Sequence, residues 1–375
     1  MKIQMVDTVT QYHKIQEEVD NAVLEVVRSG RFINGPVVQS FRDNLGAYLD
    51  VPHALSCANG TDALQIALMA LDLQPGDEVI TATFTYVATV EVIALLRLKP
   101  VFVEVDPDTF NLNIEAVEAA ITDKTKVILP VHLFGQAANM GPIMDLATKH
   151  GLSVLEDTAQ AIGSDYTFPD GRKMKTGTIG HIGTTSFYPS KNLGAYGDGG
   201  AIFTRDAKLA EVLWSICNHG SERRYYHDRV GVNSRLDAIQ AAILDIKLKH
   251  LDTYTAARRK AADLYDEMLA DVEGLETPFR AGYAEHVFHQ YTLKIAGGRD
   301  KRDDLKSKLD AAGIPNMIYY PVPLHLQDAY RGYGYQEGEF PISEKLCEQV
   351  LSLPMHSELD ETQQSYIVDH LKKFI

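Results

Sequence analysis

The sequence is poor in cysteine, in positive charge and in long apolar runs, and each shortage excludes a class of protein. Its three cysteines, Cys57, Cys217 and Cys347, are widely separated, which argues against a disulfide framework or a cysteine metal site and fits a reducing cytoplasm. Lysine and arginine number 36 against 51 acidic residues, and the formal net charge of −15 argues against a nucleic-acid surface. No apolar run approaches the length of a membrane span, and the first residues do not resemble a signal peptide. We therefore expect a cytoplasmic protein with no nucleic-acid or membrane partner.

What the sequence does contain is a long chain of ordinary globular composition. Its 375 residues are 45% hydrophobic and 23% charged, which is enough for a large core. In the last third the elements become fewer and more widely spaced. We predict a large domain at residues 1–250 and a smaller C-terminal α+β domain at residues 251–375.

Apolar periodicity predicts strands that alternate with helices along most of the chain. Short apolar runs predict strands at 54–57, 78–81, 100–105, 126–131, 153–155, 184–187, 201–204 and 289–295. Helical spacing predicts helices at 12–28, 37–49, 63–71, 86–97, 113–121, 139–150, 206–217, 236–269, 299–312 and 361–374. This rhythm favours the α/β class, with a mostly parallel central sheet covered by helices on both faces.

One lysine, Lys191, lies between an apolar run and a glycine-rich turn. Glycines allow backbone shapes and close approaches that a side chain would block, and Gly194, Gly197, Gly199 and Gly200 follow within ten residues. A lysine held on such a turn is well placed to attack a carbonyl and form a Schiff base. A surface lysine in a loop would also fit an isolated lysine of this kind.

Three further pieces follow predicted strands, where ligands of open α/β sheets bind. The turn 59–62 could cradle a phosphate at a helix N-terminus, although Thr61 and Asp62 also fit a simple N-cap. Asp157, after the apolar strand 153–155, could pair with a buried cation or could cap a helix. Tyr86, in the turn 84–88, could cover a flat ring or could belong to the core.

Together these pieces are the parts that pyridoxal phosphate needs: a lysine for the Schiff base, an acid, a phosphate cradle and a ring to lie against. Their order and texture resemble the sugar aminotransferases of the DegT/DnrJ/EryC1/StrS family over nearly the whole chain. The matching segments are Ser56–Ala63, Thr83–Thr89, Glu156–Gln160, Ser186–Lys191, Gly197–Ala201 and Gly231–Asp237. The resemblance implies an aminotransferase of fold type I with pyridoxal 5'-phosphate as cofactor.

The resemblance also implies where the cofactor phosphate is held. Gly60, Thr61 and Ser186 would bind it from the same chain. Asn233 would reach it from the other subunit of a homodimer, so that each active site is shared between two chains.

Around the cofactor ring, the resemblance implies that Tyr86 stacks on the ring and Asp157 pairs with its nitrogen. Gln160 would bond the phenolate oxygen. Lys191 would be both the Schiff-base partner and the group that moves the proton.

For the substrates, the resemblance is closest to the enzymes that aminate the 3-oxo group of UDP-2-acetamido-2-deoxy-3-oxo-glucuronate. It implies L-glutamate as the amino donor, a nucleotide sugar as the acceptor, and a place in bacterial surface-polysaccharide synthesis. Arg235, Tyr319 and Tyr320 would contact the sugar. The family often has His-Tyr-Pro where this chain has Tyr319-Tyr320-Pro321, so the departure at Tyr319 leaves the identity of the sugar open.

Three other interpretations stay open at this point. A sugar dehydratase of the same family would have histidine in place of Lys191, so the lysine argues against it. A non-catalytic or regulatory protein on the same fold is disfavoured by the intact Lys191, Asp157 and Gln160. A dTDP-linked 3-oxo-6-deoxyhexose is an alternative acceptor, and a basic, aromatic loop at 219–229 could meet either nucleotide sugar or simply be solvated. That loop includes Arg223, Arg224, Tyr225, Tyr226, His227 and Arg229.

Overall fold

The computed structural model describes residues 2–223 and 225–375. Arg224, one member of the predicted basic loop, lies outside the described residues. Two other members of that loop, Arg223 and Tyr226, pair in a short antiparallel hairpin, and both of their side chains are exposed.

The helices lie mostly between strands in the first two thirds of the chain. They are α1 Thr8–Lys14, α2 Gln16–Ser29, α3 Pro36–Leu49, α4 Gly60–Met69, α5 Ala88–Leu95, α6 Ile114–Ala120, α7 Met140–His150, α8 Ala207–Cys217, α9 Ala238–Leu248, α10 Leu251–Leu269, α11 Gly298–Ala311, α12 Pro341–Gln349 and α13 Glu361–Phe374. Short 3₁₀ turns cover Leu133–Gly135, Leu324–Leu326 and Asp328–Tyr333.

The strands are short, and all seven strands of the central sheet are five residues long. They are β1 His53–Cys57, β2 Glu78–Ala82, β3 Lys99–Val103, β4 Thr125–Leu129, β5 Ser153–Asp157, β6 Asp165–Thr167, β7 Lys173–Lys175, β8 Ile182–Ser186, β9 Gly200–Thr204, β10 Ser221–Arg223, β11 Tyr226–His227, β12 Leu275–Glu276, β13 Tyr291–Ile295 and β14 Val350–Leu353.

A seven-stranded sheet forms the centre of the molecule, in the order β1-β9-β8-β5-β4-β2-β3. The neighbours from β8 through β3 pair in parallel, whereas β9 runs antiparallel to both β8 and β1. The carboxyl ends of β1, β2, β4, β5 and β8 therefore meet at one edge of the sheet, where the start of β9 joins them. The α/β class and the mostly parallel sheet are confirmed, and this edge is where the motifs fall.

A second, three-stranded antiparallel sheet, β12-β13-β14, lies in the C-terminal part of the chain. It packs with α10, α11 and α13 around an apolar cluster that includes Tyr265, Tyr291, Leu309 and Ile367. Ile3, near the start of the chain, also joins this cluster. We propose that the boundary between the large and the small domain lies at residue 250.

The predicted helix 236–269 is wrong in one respect, because the structure has two helices there. The amides of Lys249 and His250 bond carbonyls three residues back, which tightens the chain between α9 and α10. Leu248 and Leu251 are both buried, so the apolar pattern runs across the break and conceals it. The hairpins β6–β7 and β10–β11 were not predicted, since strands of two or three residues carry too little periodicity.

Within the described ranges 2–223 and 225–375, no helix is both long enough and apolar enough to cross a bilayer.

A buried carboxylate, Glu156, fastens β5 to the turn that precedes β8. Its oxygens accept the backbone N–H groups of Gly177, Ile179 and Gly180 at 2.6–2.9 Å. The Nε2 atom of His132 lies 2.9 Å away, and both side chains are fully buried. Four donors converge on one carboxylate, which is why the charge can be accommodated inside the protein.

We expect Glu156→Gln to lower the free energy of unfolding by about 2–4 kcal/mol. The NH₂ group of the glutamine side chain would face backbone N–H groups, and it cannot accept hydrogen bonds from them. Urea unfolding followed by circular dichroism measures the shift in midpoint. Glu118→Gln is the matched control, since Glu118 forms an exposed ion pair with Lys149 and should leave the midpoint unchanged. Equal midpoints for the two variants would contradict the role given to Glu156.

Candidate active site

A cavity of about 730 Å³ opens at the carboxyl edge of the central sheet. Its wall is built from turns that follow β1, β2, β5 and β8, together with two segments of the C-terminal third. The predicted site residues that line it are Gly60, Thr61, Tyr86, Asp157, Gln160, Ser186, Lys191, Tyr319 and Tyr320. Residues spread over 260 positions of the chain therefore meet in one pocket of the size that ligands occupy.

The start of helix α4 lies directly against the end of β8. A Cβ atom on Gly60 would stand 2.6 Å from the Cβ of Ser186, so only glycine permits this approach. The N-cap is Asn59, whose side chain accepts the Asp62 amide at 2.8 Å, and the alternative in which Thr61 or Asp62 caps the helix is wrong. The free amides of the first turn and the nearby Ser186 hydroxyl form a site that suits a phosphate.

Asp157, the last residue of β5, presents a buried carboxylate to the cavity. Its Oδ2 accepts the Thr89 hydroxyl at 3.1 Å and its Oδ1 accepts the Ala159 amide at 3.1 Å. No helix follows Asp157 directly in this described stretch, so the helix-cap alternative does not hold. Burial raises the pKa of Asp157, although the Ala159 amide, the charge of Lys191 and Thr89 oppose the rise. Lone pairs remain on both oxygens for a cationic partner.

Lys191 lies in the turn between β8 and β9, with its amide bonded to the Tyr188 carbonyl at 2.8 Å. Its side chain is half-buried and lines the cavity. Burial lowers the pKa of Lys191 to about 8, and the charge of Asp157 acts in the opposite direction. A larger share of neutral, nucleophilic amine is therefore present near neutral pH than for an ordinary lysine.

The glycines after Lys191 serve close packing, and the φ angles of Gly194 and Gly200 are ordinary for any residue. A Cβ on Gly200 would lie 2.4 Å from the carbonyl oxygen of Asn59, and one on Gly194 would lie 2.4 Å from that of Pro189. The buried ammonium of Lys247 also donates to the Gly194 carbonyl, at 2.5 Å. The turn that carries Lys191 is thus fixed against the start of α4 on one side and against α9 on the other.

Gln160 and three aromatic rings, those of Tyr86, Phe134 and Tyr320, line one part of the cavity. Gln160 accepts the Phe134 amide at 2.8 Å and donates to the Tyr320 hydroxyl at 3.1 Å, which leaves one amide hydrogen for a ligand. The Tyr320 ring lies 6.2 Å from that of Tyr86 and 6.5 Å from that of Phe134. Tyr86 is 54% exposed and offers a ring face at the cavity.

Two predicted site residues, Asn233 and Arg235, are not brought into this cavity by their own chain. The Asn233 side chain is exposed, and its backbone bridges to Asn218. Arg235 is half-buried, and its Nε atom is buried with no hydrogen-bond partner among residues 2–223 and 225–375.

Several cavity residues were not predicted from the sequence. His289 and Gln290 line the wall from the start of the small sheet. Burial holds the pKa of His289 well below its usual range, and the charges of Lys191 and Arg258 act in the same direction. The segment Thr83–Thr89 gives no sign that the Thr89 hydroxyl bonds Asp157.

The parts of this cavity fit pyridoxal phosphate. The contact between Gly60 and Ser186 supplies an anion cradle, Asp157 a buried acid, and Lys191 an amine with a lowered pKa. These are the groups that the cofactor requires for its phosphate, its ring nitrogen and its aldehyde.

Comparison with known proteins agrees with this chemistry. Residues 13–372 match the model of the DegT/DnrJ/EryC1/StrS aminotransferase family. The chain is 48% identical over 100% of its length to a protein of Geobacillus stearothermophilus named pleiotropic regulatory protein, covering 99% of that relative. It is 45% identical to the UDP-2-acetamido-2-deoxy-3-oxo-D-glucuronate aminotransferase of Pseudomonas aeruginosa, covering 96% of each chain. Other, less identical relatives are named as transaminases of dTDP-linked amino sugars.

A solved structure shows the same fold with a cofactor in place. The structure of NtdA from Bacillus subtilis, with bound cofactor PMP, superposes with a TM-score of 0.88 at 32% identity, covering 96% of this chain and 81% of that one. This chain is accordingly a member of the DegT/DnrJ/EryC1/StrS family, a sugar aminotransferase that uses pyridoxal phosphate.

Proposed function

We propose that this protein transfers the amino group of L-glutamate to the 3-oxo group of UDP-2-acetamido-2-deoxy-3-oxo-glucuronate, in bacterial surface-polysaccharide synthesis. The observation that carries the choice of sugar is the 45% identity to the Pseudomonas enzyme of that name over nearly the whole of both chains. Arg235 supports an acidic sugar, because its buried Nε is left without a partner in the described part of the chain. A guanidinium binds a carboxylate, such as that of a uronate, with two parallel hydrogen bonds.

The cofactor would be held by the residues already described. Gly60, Thr61 and Ser186 would bind its phosphate, and Tyr86 would lie against its ring. When bound, pyridoxal phosphate supplies an electron sink for the bonds that are made and broken at the substrate carbon.

The chain's own residues supply the proton transfers and the charge. Asp157, fixed by Thr89 and by the Ala159 amide, would hold a proton at the ring nitrogen, since a neighbouring negative charge favours the cationic form. Lys191 would take the proton from the α-carbon of glutamate and, in the second half-reaction, deliver a proton to the sugar carbon that receives the amino group, because its lowered pKa lets it act as a base near neutral pH. Gln160 would orient the phenolate oxygen with the amide hydrogen that Tyr320 does not use.

The active site would be completed by a second copy of the chain. Asn233 is exposed and outside its own cavity, which supports a role at the partner's site. Two-fold dimers have self-complementary interfaces, so each subunit would lend Asn233 and Arg235 to the other.

We expect Asp157→Asn to lower the rate of amino transfer by roughly 100-fold while the cofactor stays bound, because the shape is kept and the charge is lost. Stopped-flow absorbance in the visible range measures both the rate of amino transfer and the presence of bound cofactor. Asp206→Asn is the matched control: Asp206 caps α8 far from the cavity, and asparagine also caps helices. If Asp157→Asn turned over like the parent, the role proposed for Asp157 at the ring nitrogen would be wrong.

We expect refolding of Lys191→Ala together with Asn233→Ala to restore activity. In a mixed dimer one site would carry both changes and the other neither, so random pairing should give roughly a quarter of the parent activity. Each variant refolded alone is the control. Subunit exchange without any recovery would mean that both residues serve the same chain's site.

We expect the enzyme, loaded with glutamate, to aminate the UDP-linked 3-oxo-glucuronate faster than the matching 3-oxo-glucosamine that lacks the carboxylate. Mass spectrometry of a panel of keto-nucleotide sugars, including a dTDP-linked 3-oxo-6-deoxyhexose, measures the preference. Selection of the dTDP-linked sugar would overturn the proposed acceptor. Amino uptake from glutamate with no transfer to any sugar would favour the regulatory alternative.

A further inference from the structure

A buried hydrogen-bond network joins the C-terminal third of the chain to the end of β2. The Oγ1 atom of Thr83 lies 2.7 Å from Nδ1 of His325 and accepts the backbone N–H of His325 at 3.2 Å. The backbone carbonyl of Thr83 accepts the amide of Leu324 at 2.8 Å. One residue after β2 therefore fixes two successive residues of the later segment through three contacts.

The network continues through the far side of the imidazole. Nε2 of His325 lies 3.1 Å from Oε1 of Glu344 in α12. Glu344 also accepts the amides of Gly338, at 2.8 Å, and of Phe340, at 3.3 Å, and so secures the loop before α12. Because the Glu344 carboxylate accepts, the proton of the neutral imidazole belongs on Nε2, and Nδ1 then accepts the Thr83 hydroxyl.

The order hydroxyl, imidazole, carboxylate is also that of a nucleophilic triad, but burial excludes that role. Thr83 is fully buried and His325 is 1% exposed, and neither lines the cavity that holds Lys191. A nucleophile must reach a substrate atom, and among the described residues this hydroxyl forms hydrogen bonds only with His325. The network therefore has a structural role.

The network connects two segments of the chain that line the active-site cavity. Thr83 lies three residues before Tyr86, which lines the cavity from the turn after β2. His325 ends the segment that begins with Tyr319 and Tyr320, which also line the cavity, and the Tyr320 ring lies 6.2 Å from that of Tyr86. The hydroxyl of Thr83 makes two of the three contacts that hold these two segments together.

We infer that the Thr83–His325–Glu344 network positions Tyr319 and Tyr320 for the acceptor sugar, and that glutamate does not depend on it. The inference rests on the proposed function, in which these tyrosines contact a nucleotide sugar. Glutamate is smaller and reacts beside Lys191 and Asp157. The Asp157 carboxylate is held by the Thr89 hydroxyl and the Ala159 amide, and Lys247 fixes the turn that carries Lys191, so these bonds do not involve His325 or Glu344. Displacement of the segment that carries Tyr319 and Tyr320 would misplace the larger substrate, and misplacement of about 1 Å can cost up to 100-fold in rate.

The experiment separates the two half-reactions of the holoenzyme by their absorbance changes. Thr83→Val keeps the side-chain shape and removes the hydroxyl, whereas Thr83→Ser restores a hydroxyl. The matched control is Thr81→Val, because Thr81 belongs to β2, is fully buried and loses one hydrogen bond, from its hydroxyl to the Leu129 carbonyl at 2.9 Å. His325→Gln is a second test variant, should Thr83→Val fail to fold.

We expect Thr83→Val to reduce the efficiency of the sugar half-reaction by roughly tenfold, mainly through weaker sugar binding, while the glutamate half-reaction stays within about twofold of the parent. Thr83→Ser should recover most of the loss, and Thr81→Val should leave the ratio of the two half-reactions unchanged.

Equal slowing of both half-reactions in Thr83→Val and His325→Gln, or no effect on either, would overturn the inference. Failure of the proposed function is a separate result, because it would be seen in the parent enzyme as inability to aminate the sugar.

Discussion

Two neighbouring carboxylates at the end of β5 have different roles: Glu156 stabilises the fold, and Asp157 belongs to the active-site cavity. Successive side chains of a strand point to opposite faces, so Glu156 and Asp157 leave the same strand in opposite directions. Glu156 meets three backbone amides and His132 and is fully paired inside the protein. Asp157 meets one hydroxyl and one amide and keeps acceptor capacity towards the cavity. Glu156 therefore holds β5 in line with β8, and this alignment places Asp157 near Lys191.

Part of the site and the fold class could be predicted from the sequence. Lys191, Asp157 and Gly60 each carry a local signal, since a strand end or a glycine turn is visible in the order of residues. The α/β class could also be predicted, because strands and helices alternate with clear periodicity. The pocket formed by these residues follows from a rule about parallel sheets that holds without knowledge of the particular chain.

The rest depends on partners that are far away in sequence. Nothing around Thr89 indicates that its hydroxyl reaches Asp157, and nothing around Thr83 indicates a contact with His325. The break between α9 and α10 is also invisible, because buried leucines lie on both sides of it. Asn233 and Arg235 stand outside their own cavity, and a single chain gives no sign of what they meet.

The antiparallel strand β9 has a consequence for how the protein is made. β1 is the edge strand of the central sheet, and β9 is its neighbour in the sheet. A nascent chain emerges at about 5–20 residues per second, so β1 waits roughly 7–30 s for the residues with which it pairs. During that interval the apolar residues Leu55 and Cys57 have no native sheet neighbour, and contacts this distant in sequence form slowly. Newly made chains therefore carry an unpaired apolar β1 until β9 has been synthesised, which leaves this strand open to misassembly and chaperone capture.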